Sequence, residues 1–221
     1  MRIVLLGPPG AGKGSLASLL QQRLGVRHVS TGDIFRQEIA RSSALGRRVH
    51  RYVTSGRLVP DRLVVAVMAA RLNPAQLDCG IVLDGFPRTA GQAAGLDRVL
   101  KRRRRPLDGV VYLSVPMTVL VRRLTGRRVC PRCGANYHVR TMKPKRPGRC
   151  DRCATRLIIR NDDEPRTIKK RLLIDQAASR SLVTYYRRRG VLYRINGAGP
   201  LDAVYERVHR ACLRHGWLGS W

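Results

Sequence analysis

"GPPGAGKGS", Gly7–Ser15, is the stretch on which the reading of this chain turns. It follows the apolar run RIVLLG (2–7). It precedes KGSLASLLQQRL (13–24), in which Leu16, Leu19, Leu20 and Leu24 recur at helical spacing. An apolar strand, a glycine-rich turn and a helix in that order make a phosphate-binding loop. Backbone N–H groups converge on phosphate oxygens at the helix N-terminus, and Lys13 adds a mobile cation. Gly7, Gly12 and Lys13 fit G-x-x-x-x-G-K-[ST], but Gly14 stands where a hydroxyl would hold Mg²⁺, and the hydroxyl arrives at Ser15. Mg²⁺ that keeps most of its waters does not need that hydroxyl, because carboxylates can hold it through water. Asp33 and Asp84, at or just past predicted strand ends, are the candidates. Gly14 then leaves space beside the phosphates for a second substrate.

Outward from this loop, strand and helix patterns alternate. VRHVS (26–30), GIVLDG (80–85), DGVVYLSV (108–115) and VLYRING (191–197) read as strands. Helical stretches are expected at 33–55 with a break near Gly46, and at 61–72, 89–101, 116–125, 164–188 and 201–214. The alternation predicts an α/β fold: a doubly wound, five-stranded parallel sheet with its site at the carboxyl ends of the strands. Residues 127–160 lose the rhythm and are rich in Cys, Pro, Gly and Arg, which marks a small insert.

The stretch LDGFPRTAGQ (83–92) ends a strand in Asp84-Gly85, then stiffens at Pro87 before Arg88, whose guanidinium suits bidentate phosphate contact. Gln92 lies one helical turn beyond, and its amide could read a purine edge. STGDIFR (30–36) offers Thr31 for a base and Arg36 for a phosphate. With GRLVPD, GRRVC and RNDDEPRTIKKRL, these motifs match the adenylate kinase family in order and spacing from residue 1 to about 214. The chain closely resembles that family, whose phosphate loop ends in the same Gly-Lys-Gly-[Ser/Thr].

The resemblance implies a core (1–29, 60–126 and 164–221) of the P-loop type, a helical AMP-binding insert (30–59) and a lid (127–163). ATP would meet Gly10, Ala11, Gly12, Lys13, Gly14, Ser15, Arg123, Arg127, Asn136, Tyr137 and the backbone at Gly199. AMP would meet Thr31, Arg36, Arg57, Leu58, Val59, Gly85, Phe86, Pro87, Arg88 and Gln92, with Arg160 and Arg171 closing on the phosphates. The implied reaction is ATP + AMP ⇌ 2 ADP with Mg²⁺. In-line phosphoryl transfer needs positioning and cancellation of negative charge; Lys13, Arg36, Arg88, Arg123, Arg127, Arg160 and Arg171 would supply it. The rival readings are GTP as donor, UMP or CMP as acceptor, and a polyanion-binding protein on a kinase scaffold. The long lid, Thr31 and Gln92 favour AMP.

Cys130-Pro-Arg-Cys133 and Cys150-Asp-Arg-Cys153 are two C-x-x-C pairs with 16 residues between them. Facing each other, they would give tetrahedral S₄ coordination of a structural Zn²⁺, a zinc-ribbon-like lid. Labile disulfides or simple turn cysteines are the alternatives. Cys79 and Cys212 read as core filler or surface residues, and His138 as a surface histidine of the lid. Trp217 and Trp221 in the tail either cover an apolar patch or are disordered.

The 44 Lys and Arg against 14 Asp and Glu give a formal net charge of +30, a field that attracts any polyanion. KRRRR (101–105) reads as a solvated helix end. Non-specific, salt-dependent nucleic-acid binding is expected, without a sequence-recognition motif. No apolar run approaches a membrane span, and RIVLLG is too short for a signal peptide, so a cytoplasmic protein is expected; the family resemblance implies a monomer.

Overall fold

The computed structural model describes residues 1–55, 57–160, 163 and 165–218, apart from the side chains of residues 165, 166, 170, 171 and 178. The predicted Asp162 and Trp221 lie outside the described residues, as does the side chain of Arg171. Five strands form one parallel sheet: β1 (Arg2–Leu6), β2 (Arg27–Ser30), β3 (Ile81–Asp84), β4 (Gly109–Ser114) and β7 (Leu192–Asn196), in the order β2-β3-β1-β4-β7. Two further strands, β5 (Arg127–Val129) and β6 (Asn136–His138), pair antiparallel inside the cysteine-bearing insert.

The central strands are apolar on both faces because helices cover both. Along β1, Ile3 and Leu5 enter one core layer while Val4 and Leu6 enter the other. The first layer is closed by α1 (Lys13–Leu24), α7 (Met117–Thr125) and α9 (Leu201–Arg214), through Leu16, Leu20, Leu120, Leu124 and Val208. The second is closed by α2 (Thr31–Ala40), α3 (Ala44–Thr54), α4 (Asp61–Arg71), α5 (Pro74–Asp78) and α6 (Ala90–Arg102). The 24-residue α8 (Pro165–Arg188), about 36 Å long, serves both layers: Ile168 and Leu172 pack in the first, Leu182 and Tyr186 in the second.

Three local outcomes differ from the pattern reading. The expected helix 33–55 is two helices, and the break falls at Ser42, whose φ is 51°, rather than at Gly46. Ser43 caps α3 by accepting from the Gly46 N–H at 2.9 Å. Gly46 is a close-approach residue: a Cβ there would stand 2.1 Å from the Glu38 carbonyl oxygen. The short α5 has no apolar period, only the Asn73 cap and Pro74 at its first position. Trp217 is ordered and 6% exposed, its ring lying where a Cβ on Gly109 would be and packing edge-on to Tyr193 at 4.8 Å.

Candidate active site

Strand register gathers the motif residues. Leu5 of β1 pairs with Asp84 of β3, Asp84 pairs with Ser30 of β2, and Ser114 of β4 pairs with Asn196 of β7. Whatever follows these residues emerges at one edge of the sheet: the phosphate loop, Thr31–Arg36, Gly85–Arg88 and Gly197–Gly199. This is the carboxyl edge, where open α/β sheets hold their ligands.

The loop's shape depends on glycine. Gly7, Gly10 and Gly12 have φ of 137°, 82° and 96°, and a Cβ on Gly7 would stand 2.7 Å from the Leu113 carbonyl oxygen. Gly12, left-handed, is the N-cap of α1, so the first turn of that helix faces the loop. Lys13 donates from Nζ to the carbonyls of Gly7 and Pro8, the latter at 3.1 Å. Arg123 of α7 donates to the carbonyls of Ala11 (3.1 Å), Gly197 (3.0 Å) and Gly199 (3.0 Å). It thereby ties the phosphate loop to the turn after β7. Burial, aided by neighbouring Arg122, lowers the Arg123 pKa from its ordinary value.

Asp84 answers the question posed by Gly14. A Cβ on Gly14 would stand 3.3 Å from Asp84 Oδ2, so a longer residue there would press on the carboxylate. Burial by itself would raise the Asp84 pKa, but contact with His28 and the charges of Lys13 and Arg88 outweigh it and hold the group below its usual range. His28 Nε2 lies 3.7 Å from Asp84 Oδ2. The other predicted carboxylate, Asp33, sits in the first turn of α2 and is paired with Arg36 at 2.5 Å.

Across the cleft, Thr31 donates to the Gly85 carbonyl at 2.9 Å and Arg88 Nε donates to the same carbonyl at 2.9 Å. Gln92 is buried: its Oε1 accepts from the Arg88 N–H at 2.8 Å and its Nε2 donates to Asp61 at 2.9 Å. Thr89 donates to the other Asp61 oxygen at 2.7 Å. Asp61 was not singled out from the sequence beyond starting a helix. Its only signal was the Pro60-Asp61 pair, which says "helix start" and nothing of the partner 31 residues on. The side chains of Phe86 and Val59 lie in the core layer, so only their backbones face the cleft; Arg57 is exposed and Leu58 half-buried.

The insert's predicted residues make their contacts at its own root and within it. Arg127 grips Asp163 through two hydrogen bonds, at 2.6 and 2.5 Å, and the Asp163 side chain is fully buried. Arg160 donates to Asn136 at 2.9 Å. Among the described residues no hydrogen bond joins these side chains to the phosphate loop. Tyr137 is turned to the thiol cluster: its hydroxyl lies 3.4 Å from Cys150 Sγ and accepts from the Asp151 N–H at 2.7 Å. His138 is buried rather than superficial, its Nδ1 accepting from the N–H groups of Arg140 and Thr141.

The four cysteines are free thiols and converge, with all four Sγ atoms within 4.8 Å of one another. Cys130 and Cys153 are 3.4 Å apart at sulfur, Cys133 and Cys150 3.5 Å. Tetrahedral coordination at about 2.3 Å per thiolate places sulfurs about 3.8 Å apart, between the 3.4–3.5 Å of the short pairs and the 4.8 Å within which all four lie, so the donor set fits Zn²⁺ after small shifts of the thiols. The two knuckles repeat one geometry. Gly134 and Ala154, with φ of 73° and 56°, each donate back to the carbonyl of Cys130 or Cys150. Burial would raise the Cys150 thiol, but hydrogen bonds from Tyr137, the Arg152 N–H and Cys133 bring it down, while burial and the Cys150 contact push its partner Cys133 up; the pair shares its protons, with Cys150 the first to become a thiolate.

A phosphate loop facing a second, arginine-bearing pocket across a strand-end carboxylate defines a P-loop phosphotransferase of the nucleoside-monophosphate kinase class. The family model described as adenylate kinase matches residues 5–191. The chain is 49% identical over 216 residues to the adenylate kinase of Moorella thermoacetica, covering 97% of this chain and 99% of that one. It is 43% identical to an adenylate kinase of Clostridium botulinum (94% and 96% covered) and 41% identical to one of Clostridium kluyveri (96% and 97%). The chain belongs to the adenylate kinase family.

Proposed function

We propose that this chain catalyses reversible phosphoryl transfer between ATP and AMP, giving two ADP. The observation that carries the reading is the register of β1, β2 and β3, which brings the phosphate loop, Asp84 and the Thr31/Arg88/Gln92 pocket to one edge of the sheet. ATP would lie on Gly10–Ser15, with Lys13 leaving the Gly7 carbonyl for a phosphate oxygen and Arg123 fixing the loop from behind. Gly199 would border the adenine. AMP would lie between Thr31, Arg36, Arg57–Val59, Gly85–Arg88 and Gln92, with Asp61 holding the Gln92 amide in orientation. Arg127, Arg160 and Arg171 would approach as the insert closes over the cleft with Asn136 and Tyr137 on its inner side. Each of these cations is worth most when closure excludes water.

Mg²⁺, when bound with ATP, screens the phosphates; Asp84, held ionised, and Asp33 are the residues that would hold its waters. Cys130, Cys133, Cys150 and Cys153 would hold a structural Zn²⁺. On this reading residues 30–59 form the AMP-binding part, 127–163 the lid and the rest the core. We place the chain in the cytoplasm as a monomer with a general attraction for polyanions. No described helix is long and apolar enough to cross a membrane, and the charge supports the attraction. Crossing ATP, GTP, UTP and CTP as donors with AMP, UMP, CMP and GMP as acceptors, with Mg²⁺, tests the proposal. ADP formation greatest for ATP with AMP is expected; a preference for GTP or for a pyrimidine acceptor overturns it.

A further inference from the structure

Part of the surplus positive charge lines one edge of the sheet. β4 and β7 are parallel neighbours, with Val110 opposite Leu192 and the Val110 N–H bonded to the Val191 carbonyl. The segments that feed them, 101–108 after α6 and 187–191 after α8, therefore lie side by side at the amino edge of the sheet. That edge is opposite the nucleotide cleft. KRRRR (101–105) and RRR (187–189) thus form one surface. The two helices also run together: Tyr185 donates to Asp97 at 2.6 Å, and Arg189 pairs with the same carboxylate at 2.6 Å.

The acids of this rim are already paired: Asp78 with Arg105 (2.5 Å), Asp108 with Arg2 (2.7 Å) and Asp97 with Arg189. Arg103 is turned inward to the Ala69 carbonyl. Lys101, Arg102, Arg104, Arg187 and Arg188 are all exposed, and none of the five has a carboxylate partner among the described residues. A groove of about 550 Å³ runs along α8, lined by Ala90, Arg180, Thr184, Tyr185, Arg188 and Arg189. Exposed cations without carboxylate partners are the chemistry of phosphate-backbone contact.

The rim also selects among polyanions. Its side chains include none of the large hydrophobics exposed elsewhere on the described surface, so it has no wedge to enter a lipid interface. Tyr185, the nearest aromatic, is covered by Arg189 at 4.4 Å and bonded to Asp97, so bases have no ring to stack on. We infer that the amino edge of the sheet is a docking surface for double-stranded nucleic acid, gripping its phosphate backbone without reading sequence, on the face away from the nucleotide cleft. This deepens the proposed attraction for polyanions and rests on it.

The test is fluorescence anisotropy of the full chain with a labelled 25-base-pair DNA duplex from 50 to 200 mM NaCl. If the five free cations each neutralise one phosphate, log K against log[salt] has a slope of about −4.5, and affinity falls about 500-fold across that range. Replacing Lys101, Arg102, Arg104, Arg187 and Arg188 by Gln is expected to weaken binding at least tenfold at 50 mM and to remove most of the slope. It should leave ADP formation from ATP and AMP at the wild-type rate. A charge-matched variant, with Arg41, Arg47, Arg48, Arg51 and Arg62 replaced by Gln, should bind within threefold of wild type. Saturating ADP should not displace the duplex.

Absence of binding at 50 mM, equal losses in the two variants, or displacement by ADP overturns the inference. So does equal affinity for the single strand or for phosphatidylserine vesicles. A chain that bound duplex through the rim yet made no ADP would leave this inference standing and remove the proposed activity.

Discussion

The five-stranded core and the cysteine-bearing insert are held together by different means. In the core, Ile3, Val4, Leu16, Leu20, Val82, Leu83, Val110 and Val111 are fully buried, in two apolar layers that sandwich the sheet. Among its described residues the insert has one small buried cluster, Cys130, Tyr137 and Cys150, while Val139, Met142, Ile158 and Ile159 are each more than a third exposed. A segment of that size cannot remove enough apolar surface from water to offset the entropy of ordering it. Four converging thiols take the place of a core. The insert is attached at its root by the Arg127–Asp163 pair, and an insert held by its thiols is expected to order separately from the core.

Metal removal is expected to break this contrast most visibly. Metal–thiolate binding in such sites is itself folding free energy, on the order of 10 kcal/mol. Chelation, or Cys133→Ser with Cys150→Ser, should abolish hydrogen-exchange protection across 127–160 and lower ADP formation at least tenfold. The core should keep its unfolding midpoint. A single transition in which both regions melt together would show that the two are not separately held.

Trp217→Ala attacks the other side. Emptying the site against Gly109 and Tyr193 should cost about 3–5 kcal/mol in urea unfolding and leave zinc content unchanged. Lys13→Ala should change neither region's stability but lower kcat about 10²–10³-fold, the usual loss when one stabilising donor is removed from a transferring charged group. A Lys13 variant that matched wild type would remove the phosphate loop from the chemistry.

Two smaller effects sharpen the comparison. Asp84 has a folded pKa below its ordinary value, so its contribution to core stability is complete above about pH 4 and is lost as pH falls through the lower folded value. Asp84→Asn should therefore be less stable than wild type at neutral pH, with the difference closing in acid. A gap that did not narrow as pH falls below about 4 would contradict this assignment. In the insert, Ala154 holds a left-handed backbone that its counterpart Gly134 adopts freely. Ala154→Gly should stabilise the metal-bound insert by about 1 kcal/mol, read as slower hydrogen exchange at the second knuckle.

Much of this molecule was legible in one dimension because its signals are local. Runs bounded by glycine gave β1, β3, β4 and β7, and the short VRHVS pattern gave β2, each within a residue or two; the central strands, buried on both faces, are nearly continuous in apolar residues. C-x-x-C spacing gave the thiol pairs, and the glycine pattern gave the phosphate loop, because each is a short-range geometric requirement. The break at Ser42 was missed because the capping hydroxyl of Ser43, not Gly46, decides it. The strands β5 and β6 were missed because three residues carry no period.

The sequence by itself determined the strand–loop–helix unit, the alternation that demands a parallel sheet, and the four thiols of the insert. Each follows from chemistry within a few residues of chain. Only the tertiary structure decided that Asp84 crowds position 14, that Asp61 holds Gln92, that Asp163 closes on Arg127, and that two arginine runs about 80 residues apart share one edge. Those pairings are set by strand register and helix packing, which bring distant residues together without leaving a mark on either neighbourhood.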